Sequence, residues 1–275
     1  MRIEKVVLRL VEMPLKFRFR TSFGETAAKR FLLVEAVSEG FSGWGECVAE
    51  DGPFYSPETT DSARSALSRF LIPLVLGRDL PDAPAFDRLA ERVRGNRMAK
   101  GALEAALRDL FARADGVSLA RNLGGTRTAI EVGVSLGLQP TVEATVENVR
   151  RHVAQGYRRI KVKIEPGSDV DRVAAVREAF PDLPLTVDAN AAYTLETSGP
   201  LVELDAFGLD YIEQPLHHED LVDHAPELHV EDAARAERDR RGGVGGGADR
   251  LVQADRGRKP PGEARVVHEV LVVQR

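Results

Sequence analysis

Three short apolar runs, each ending in charged side chains, decide how this chain reads: Arg159-Ile160-Lys161-Val162-Lys163-Ile164, Leu185-Thr186-Val187-Asp188-Ala189-Asn190, and Tyr211-Ile212-Glu213-Gln214-Pro215. Lys163 to Asp188 and Asp188 to Glu213 are each 25 residues. That is the length of one strand, one helix and two short loops, so the period reads as successive β/α units of a parallel sheet. In a closed β/α barrel the C-terminal strand ends share one face, where catalytic groups gather. The implied chemistry is a general base beside a pair of metal-ligating carboxylates.

Working outward, the alternation holds from Ile130. A strand at Val132-Gly133-Val134-Ser135-Leu136 leads to a helix from Val142 to Ala154, closed by Gly156. The lysine strand follows, then a helix opened by Ser168 with Asp171 three residues on, reaching Phe180. After the Asp188 strand comes a helix from about Leu195 to Leu204, then the Glu213 strand. Four strands joined by three crossovers predict a parallel sheet with right-handed connections.

Upstream the pattern is different. Val6 to Val11 and Phe31 to Val37 read as antiparallel strands, punctuated by Gly40, Gly43 and Gly45. Ser56-Pro57-Glu58 predicts a helix start, the serine capping free N–H groups, with the helix running to about Leu76. A second helix spans Met98 to Ala114, ended by Gly116. Residues 1–125 therefore read as an α+β unit, and 126–225 as the first β/α units of a barrel.

Beyond Ala225 the stretch Glu231 to Arg258 is rich in Arg, Ala, Gly and Asp and has no aromatic residue or isoleucine. It buries too little apolar surface to offset the entropy of ordering, which predicts disorder. Eight β/α units take on the order of 250 residues, and only about 100 precede this break. The expected fold class is α/β with an added α+β domain and a partial (β/α) barrel. Its C-terminal half is expected to be missing, with 226–275 as an atypical tail, disordered or out of frame.

A chain of 275 residues can bury the cores of two domains. Its net charge of −5 argues against a nucleic-acid surface and points to small-molecule partners. Cys47, the lone cysteine, allows no internal disulfide, as suits a reducing compartment. Met1 to Lys5 lacks a signal-peptide core and no apolar stretch is long enough to cross a bilayer, so the expected location is the cytoplasm, away from membranes.

The series Lys-x-Lys, Asp-Ala-Asn, Glu-Gln-Pro resembles the muconate-lactonizing branch of the enolase superfamily. Within that branch, Gly156 to Ile164, Gly133 to Gly137, Pro14 to Gly24 and Gly95 to Lys100 are similar to o-succinylbenzoate synthases, particularly those that also act as N-acylamino acid racemases. The likeness covers roughly residues 1 to 225. It implies an enolase-like fold in which 1–125 is the capping domain, with Mg²⁺ or another divalent cation as cofactor and a small-molecule carboxylate as substrate; a homo-oligomer is compatible with it. The implied activity is a lyase reaction, dehydration of a cyclohexadiene carboxylate to o-succinylbenzoate in menaquinone biosynthesis. N-acylamino acid racemisation is the alternative, and an inactive truncated product the second alternative.

By the same resemblance Lys163 is the base that takes the α-proton and Lys161 tunes it, while Asp188 and Glu213 hold the metal. Asn190 bonds near the ion, Ser135 reaches a succinyl tail, and Thr21, Ser22, Phe23 and Tyr55 close over the substrate. The family's third carboxylate ligand and second lysine have no counterpart after Ala225. The chemistry explains the residue types. Proton loss beside a carboxylate builds negative charge, which a divalent ion neutralises. Two lysines on one strand face disfavour each other's charge, which favours a neutral amine.

Singly, each residue has a plainer reading: Lys163 as a solvated lysine, Asp188 as a helix cap, Arg20 to Phe23 as a hairpin connection. Gly133 to Gly137 also fits G-x-S-x-G, the serine-hydrolase elbow, but an elbow requires a helix directly after Ser135, and Gly137-Leu138-Gln139-Pro140 intervenes. His217, His218, Glu219 and His224 miss the spacing of a helical zinc motif, because Val222 stands where a histidine is required. Gly243, Gly245 and Ala248 match a dinucleotide fingerprint only formally, since no strand precedes them.

Overall fold

The computed structural model describes residues 1–22, 24–217 and 219, together with the backbone of 265–274. The chain divides into two units: Met1–Phe17 with Ala27–Thr128 and Pro260–Arg275, and Arg18–Thr26 with Ala129–Lys259.

The first unit is built on β3 (Phe41–Cys47) and on most of β1 (Lys5–Thr21) and β2 (Gly24–Ser38), whose hairpin end, Arg18–Thr26, is counted with the second unit. A further strand, β8 in chain order (Arg265–Gln274), completes the sheet in the order β3-β2-β1-β8. It runs antiparallel to β1, from Lys5 opposite Gln274 to Glu12 opposite Arg265. This strand lies within 226–275, where the sequence predicts an atypical tail, disordered or out of frame; the remainder of 226–275 lies outside the described residues, as does the expected missing half of the barrel.

On β2, Leu32, Val34 and Ala36 are buried while their neighbours are not, as the period of a strand requires. The helices of this unit are α1 (Thr60–Ala66), α2 (Ile72–Val75), α3 (Ala85–Ala90), α4 (Arg97–Ala114) and α5 (Leu119–Asn122). α4 buries Ala99, Ala102, Leu103, Ala106, Leu107 and Leu110 along one stripe. It lies against β3 so closely that a Cβ at Gly45 would come within 2.0 Å of the Ala102 carbonyl oxygen.

The helix expected from Ser56 begins instead at Thr59, whose side chain and Ser62 cap each other's backbone. The Ser56 hydroxyl accepts from the Glu58 amide in a local turn. Glu58 serves a different helix: its carboxylate accepts from the amides of Met98 (2.9 Å) and Ala99 (3.2 Å), satisfying free donors at the start of α4. α1 passes through a π-helical turn, Leu67–Leu71, before α2.

The second unit carries the parallel strands β4 (Gly133–Leu136), β5 (Arg159–Lys163), β6 (Leu185–Asp188) and β7 (Ile212–Glu213), paired in sequence order. Between them run α6 (Val142–Ala154), α7 (Val170–Ala179) and the short α8 (Gly199–Glu203), extended by a 3₁₀ turn over Leu204–Phe207. Leu136, Ile160, Val162, Leu185 and Val187 pack with Val149, Val173, Val176 and Leu204 in one apolar cluster. The intervening Ser135, Lys161, Lys163, Thr186, Asp188 and Glu213 therefore share the other sheet face. The N-cap of α7 is Asp169, one residue beyond the expected Ser168, which instead accepts hydrogen bonds from Arg172. Among the described residues no helix is long and apolar enough to cross a membrane.

Candidate active site

Parallel pairing brings the charged residues level. Lys163 lies opposite Asp188, and Asp188 opposite Glu213, at the C-terminal ends of three adjacent strands. The Lys163 ammonium donates to Asp188 Oδ2 at 2.5 Å. Lys161, two residues earlier on the same face, reaches up the sheet. Its Nζ donates to Glu213 Oε1 and Oε2 at 3.0 and 2.9 Å and lies 3.4 Å from Asp188 Oδ2. Asp188 is 2% exposed and Lys163 6%. The other Asp188 oxygen accepts the Asn190 amide at 2.9 Å.

The charges do not balance as the lysine pair alone suggests. Burial by itself lowers the pKa of Lys161, but the Glu213 hydrogen bond and the Asp188 and Glu213 charges outweigh it and leave the pKa raised. Mutual repulsion of two lysines is the weaker influence once carboxylates from the next strands face them.

The same arrangement bears on whether a divalent ion fits. Asp188 and Glu213 converge on one cation, the Lys161 ammonium, so the fold already places a positive charge between two hard oxygen donors. Mg²⁺ is commonly held by one or two carboxylates and completes its shell with water. The donor set suits such an ion. Among the described residues no group of three or more His, Cys, Asp or Glu side chains gathers as a ligand cluster. The expected absence of a third carboxylate and a second lysine after Ala225 lies outside the described residues.

Asn190 has a left-handed backbone (φ 48°); its side-chain amide donates to Gln214 Oε1 at 3.4 Å, and its buried Oδ1 has no hydrogen-bond partner among the described residues. The Ser22 hydroxyl donates to the Ala189 carbonyl at 3.2 Å, beside Asp188. Ser22, Glu165, Pro166, Asn190, Ala191 and Ala192 line a cavity of about 300 Å³. The Thr21 hydroxyl turns back to its own hairpin, donating to Gly24 O. Ser135 is exposed on β4, level with Lys161. It lies inside the strand, not at a strand-to-helix turn, so no hydrolase elbow forms. Tyr55 belongs to the first unit, and Phe23, His218 and His224 lie outside the described residues. Larger cavities, about 420 and 350 Å³, flank Asp182 to Pro184 at the opposite strand ends.

Sequence reasoning missed Asp169, Tyr193 and Gln214. Asp169 is 7% exposed and Tyr193 2%, and the Tyr193 hydroxyl donates to Asp169 Oδ2 at 2.7 Å. Gln214 has φ 47°, and its carbonyl accepts the Ala191 amide at 2.7 Å.

Comparison with known proteins agrees with this architecture. Residues 3–124 match the N-terminal domain of the mandelate racemase / muconate lactonizing enzyme family, and 144–235 match the enolase C-terminal domain-like family. An N-succinylamino acid racemase from Thermus thermophilus is 53% identical over 225 residues, covering 82% of this chain and 61% of that protein. An o-succinylbenzoate synthase from Geobacillus kaustophilus is 53% identical over 224 residues (81% and 60%). Another, from Geobacillus stearothermophilus, is 46% identical over 277 residues (98% and 74%). A crystal structure of an enolase-superfamily member from Listeria innocua superposes with a TM-score of 0.80 at 42% identity, covering 83% of this chain and 62% of that one. The chain thus spans about three fifths of the length of the first two of these relatives. It belongs to the mandelate racemase / muconate lactonizing enzyme family of the enolase superfamily.

Proposed function

We propose that this chain carries the proton-abstracting centre of an o-succinylbenzoate synthase-like lyase, with 1–125 as its capping domain and 126–225 as the first β/α units of its barrel. The observation that carries this is the meeting of Lys161, Lys163, Asp188 and Glu213 at three neighbouring strand ends, with one cationic position between the carboxylates. Lys163 takes the proton next to the substrate carboxylate. Asp188 and Glu213 would hold Mg²⁺ or another divalent cation, which would offset the negative charge building on that carboxylate. Lys161 adds positive charge beside the base. Asn190 and Ser22 border the small cavity next to Asp188, and Ser135 stands level with Lys161 on the neighbouring strand. The name of the relative from Geobacillus kaustophilus supports the lyase reading.

A second reading is racemisation of an N-acylamino acid, favoured by an equally similar relative named for that activity. Dehydration asks for one base and an acid at the departing hydroxide; racemisation asks for bases on both faces of the substrate. Incubating the purified chain and Mg²⁺ with each substrate, one followed by o-succinylbenzoate absorbance and one by polarimetry, decides between them. Mg²⁺-dependent turnover is expected in at least one assay, with Lys163→Ala lowering it roughly hundredfold or more. Absence of turnover in both, or turnover indifferent to Lys163→Ala, refutes the proposal.

A further inference from the structure

The strand ends that present Lys163, Asp188 and Glu213 are followed by loops in unfavourable backbone conformations. Asn190 and Ala191 after β6 and Gln214 after β7 all have left-handed φ values, of 48°, 60° and 47°. L side chains disfavour this region, so such a loop relaxes unless its surroundings hold it. Within this loop the Asn190 amide donates to Asp188 Oδ1.

One residue is bonded to the loops on both sides. The Tyr193 amide donates to the Pro215 carbonyl in the loop after β7, at 3.1 Å. Its hydroxyl donates to Asp169 in the loop after β5. Asp169 is itself fixed, because its other oxygen caps α7 at the Val170 amide, 2.7 Å away. Both side chains are buried, so the bond is shielded from competing water. Burial first, then the Asp169 hydrogen bond and charge, raise the tyrosine pKa, which keeps the hydroxyl a donor.

We infer that Tyr193 and Asp169 form a latch that holds the strained loop after β6, and that Tyr193 is thereby a positioning residue for the carboxylates of the site without touching substrate. The part concerning ion affinity rests on the function proposed above; the loop-holding part does not. A core tyrosine without this role would tolerate loss of its hydroxyl locally, because phenylalanine keeps the ring.

The test uses the full chain as wild type, Tyr193→Phe, Asp169→Ser, which keeps a cap on α7 but withdraws the tyrosine's partner, and Asp169→Asn, which keeps the cap oxygen and bonds the tyrosine hydroxyl through its Nδ2–H, the hydroxyl then accepting. Hydrogen exchange without metal is measured at the Ala189 and Ala191 amides, which donate to the loop and strand end of β7. Mg²⁺ affinity is measured by calorimetry. Exchange is expected to quicken about tenfold in Tyr193→Phe and Asp169→Ser and to stay near wild type in Asp169→Asn, with Mg²⁺ affinity falling several-fold in the first two only. Unchanged exchange in folded Tyr193→Phe overturns the latch. If that variant does not fold, Asp169→Ser decides the matter by the same criterion. Faster exchange with unchanged Mg²⁺ affinity overturns the positioning role. A wild type that binds no Mg²⁺ overturns the proposed function instead, while exchange still decides the latch.

Discussion

Asp188→Asn is the substitution whose cost the structure specifies most fully. The carboxylate is 2% exposed and receives Lys163 at 2.5 Å, the Asn190 amide at 2.9 Å and Lys161 at 3.4 Å. Asparagine keeps the size and one oxygen for the Asn190 amide, but it removes the charge. Lys161 retains Glu213. Lys163, 6% exposed, is left beside a neutral group. Removing one partner of a buried ion pair costs about 3–5 kcal/mol; with Lys161 still paired, the lower end, about 3 kcal/mol, is expected. For a folded unit of this size that corresponds to a fall in midpoint of roughly 6–12 °C. Urea and thermal unfolding followed by circular dichroism, in EDTA so that bound metal does not contribute, measure it. Adding Lys163→Met removes the stranded ammonium and should recover more than about 1 kcal/mol in a double-mutant cycle. Stability of Asp188→Asn within about 0.5 kcal/mol of wild type, or a double variant no more stable than Asp188→Asn alone, refutes the reasoning.

Two further predictions concern the first unit. Gly45→Ala forces a methyl group to within 2.0 Å of the Ala102 carbonyl and 2.8 Å of the Ala106 amide. Backbone cannot yield as a side-chain tip can, so unfolding measurements should show a loss of about 3 kcal/mol or more; a loss below about 1 kcal/mol would mean that α4 slides freely on β3. Glu58→Ala strips two amides at the start of α4 of their acceptor and should cost about 1–2 kcal/mol, with exchange quickening at Met98 and Ala99 but not at the far end of the helix.

The alternation of strands and helices was legible because each apolar run alternates or repeats in the period of its element. Helix starts were less so. Ser56 and Thr59 are both competent caps, as are Ser168 and Asp169, and local sequence does not rank them. Distant partners do: Glu58 is drawn to the amides of α4, and Asp169 is fixed by Tyr193, 24 residues away. β8 was missed for a different reason. Val266, Val267, Val270, Val272 and Val273, with Leu271 among them, form an apolar, valine-rich run of the usual kind, but the polar composition before it governed the reading of the whole tail. Nothing local in it indicates that its partner is β1, some 260 residues earlier in the chain.

The candidate site was legible through its period, and the same period shows where more could have been found. In a parallel sheet built from units of near-constant length, residues one period apart stand level on neighbouring strands or loops. Lys163 and Asp188 are 25 apart and bonded, Asp169 and Tyr193 are 24 apart and bonded, and Asn190 and Gln214 are 24 apart and bonded. The first pair draws attention because its members are oppositely charged at the ends of apolar runs. The other two look like ordinary loop residues until they are set one period from a complementary donor or acceptor. Charge balance escapes such a search, because it sums over three strands at once. Lys161 next to Lys163 reads as repulsion along one strand, whereas across the sheet it faces Asp188 and Glu213, and attraction prevails. Period therefore locates partners in this fold, and the sign of their joint electrostatics follows only when every strand facing the group is counted.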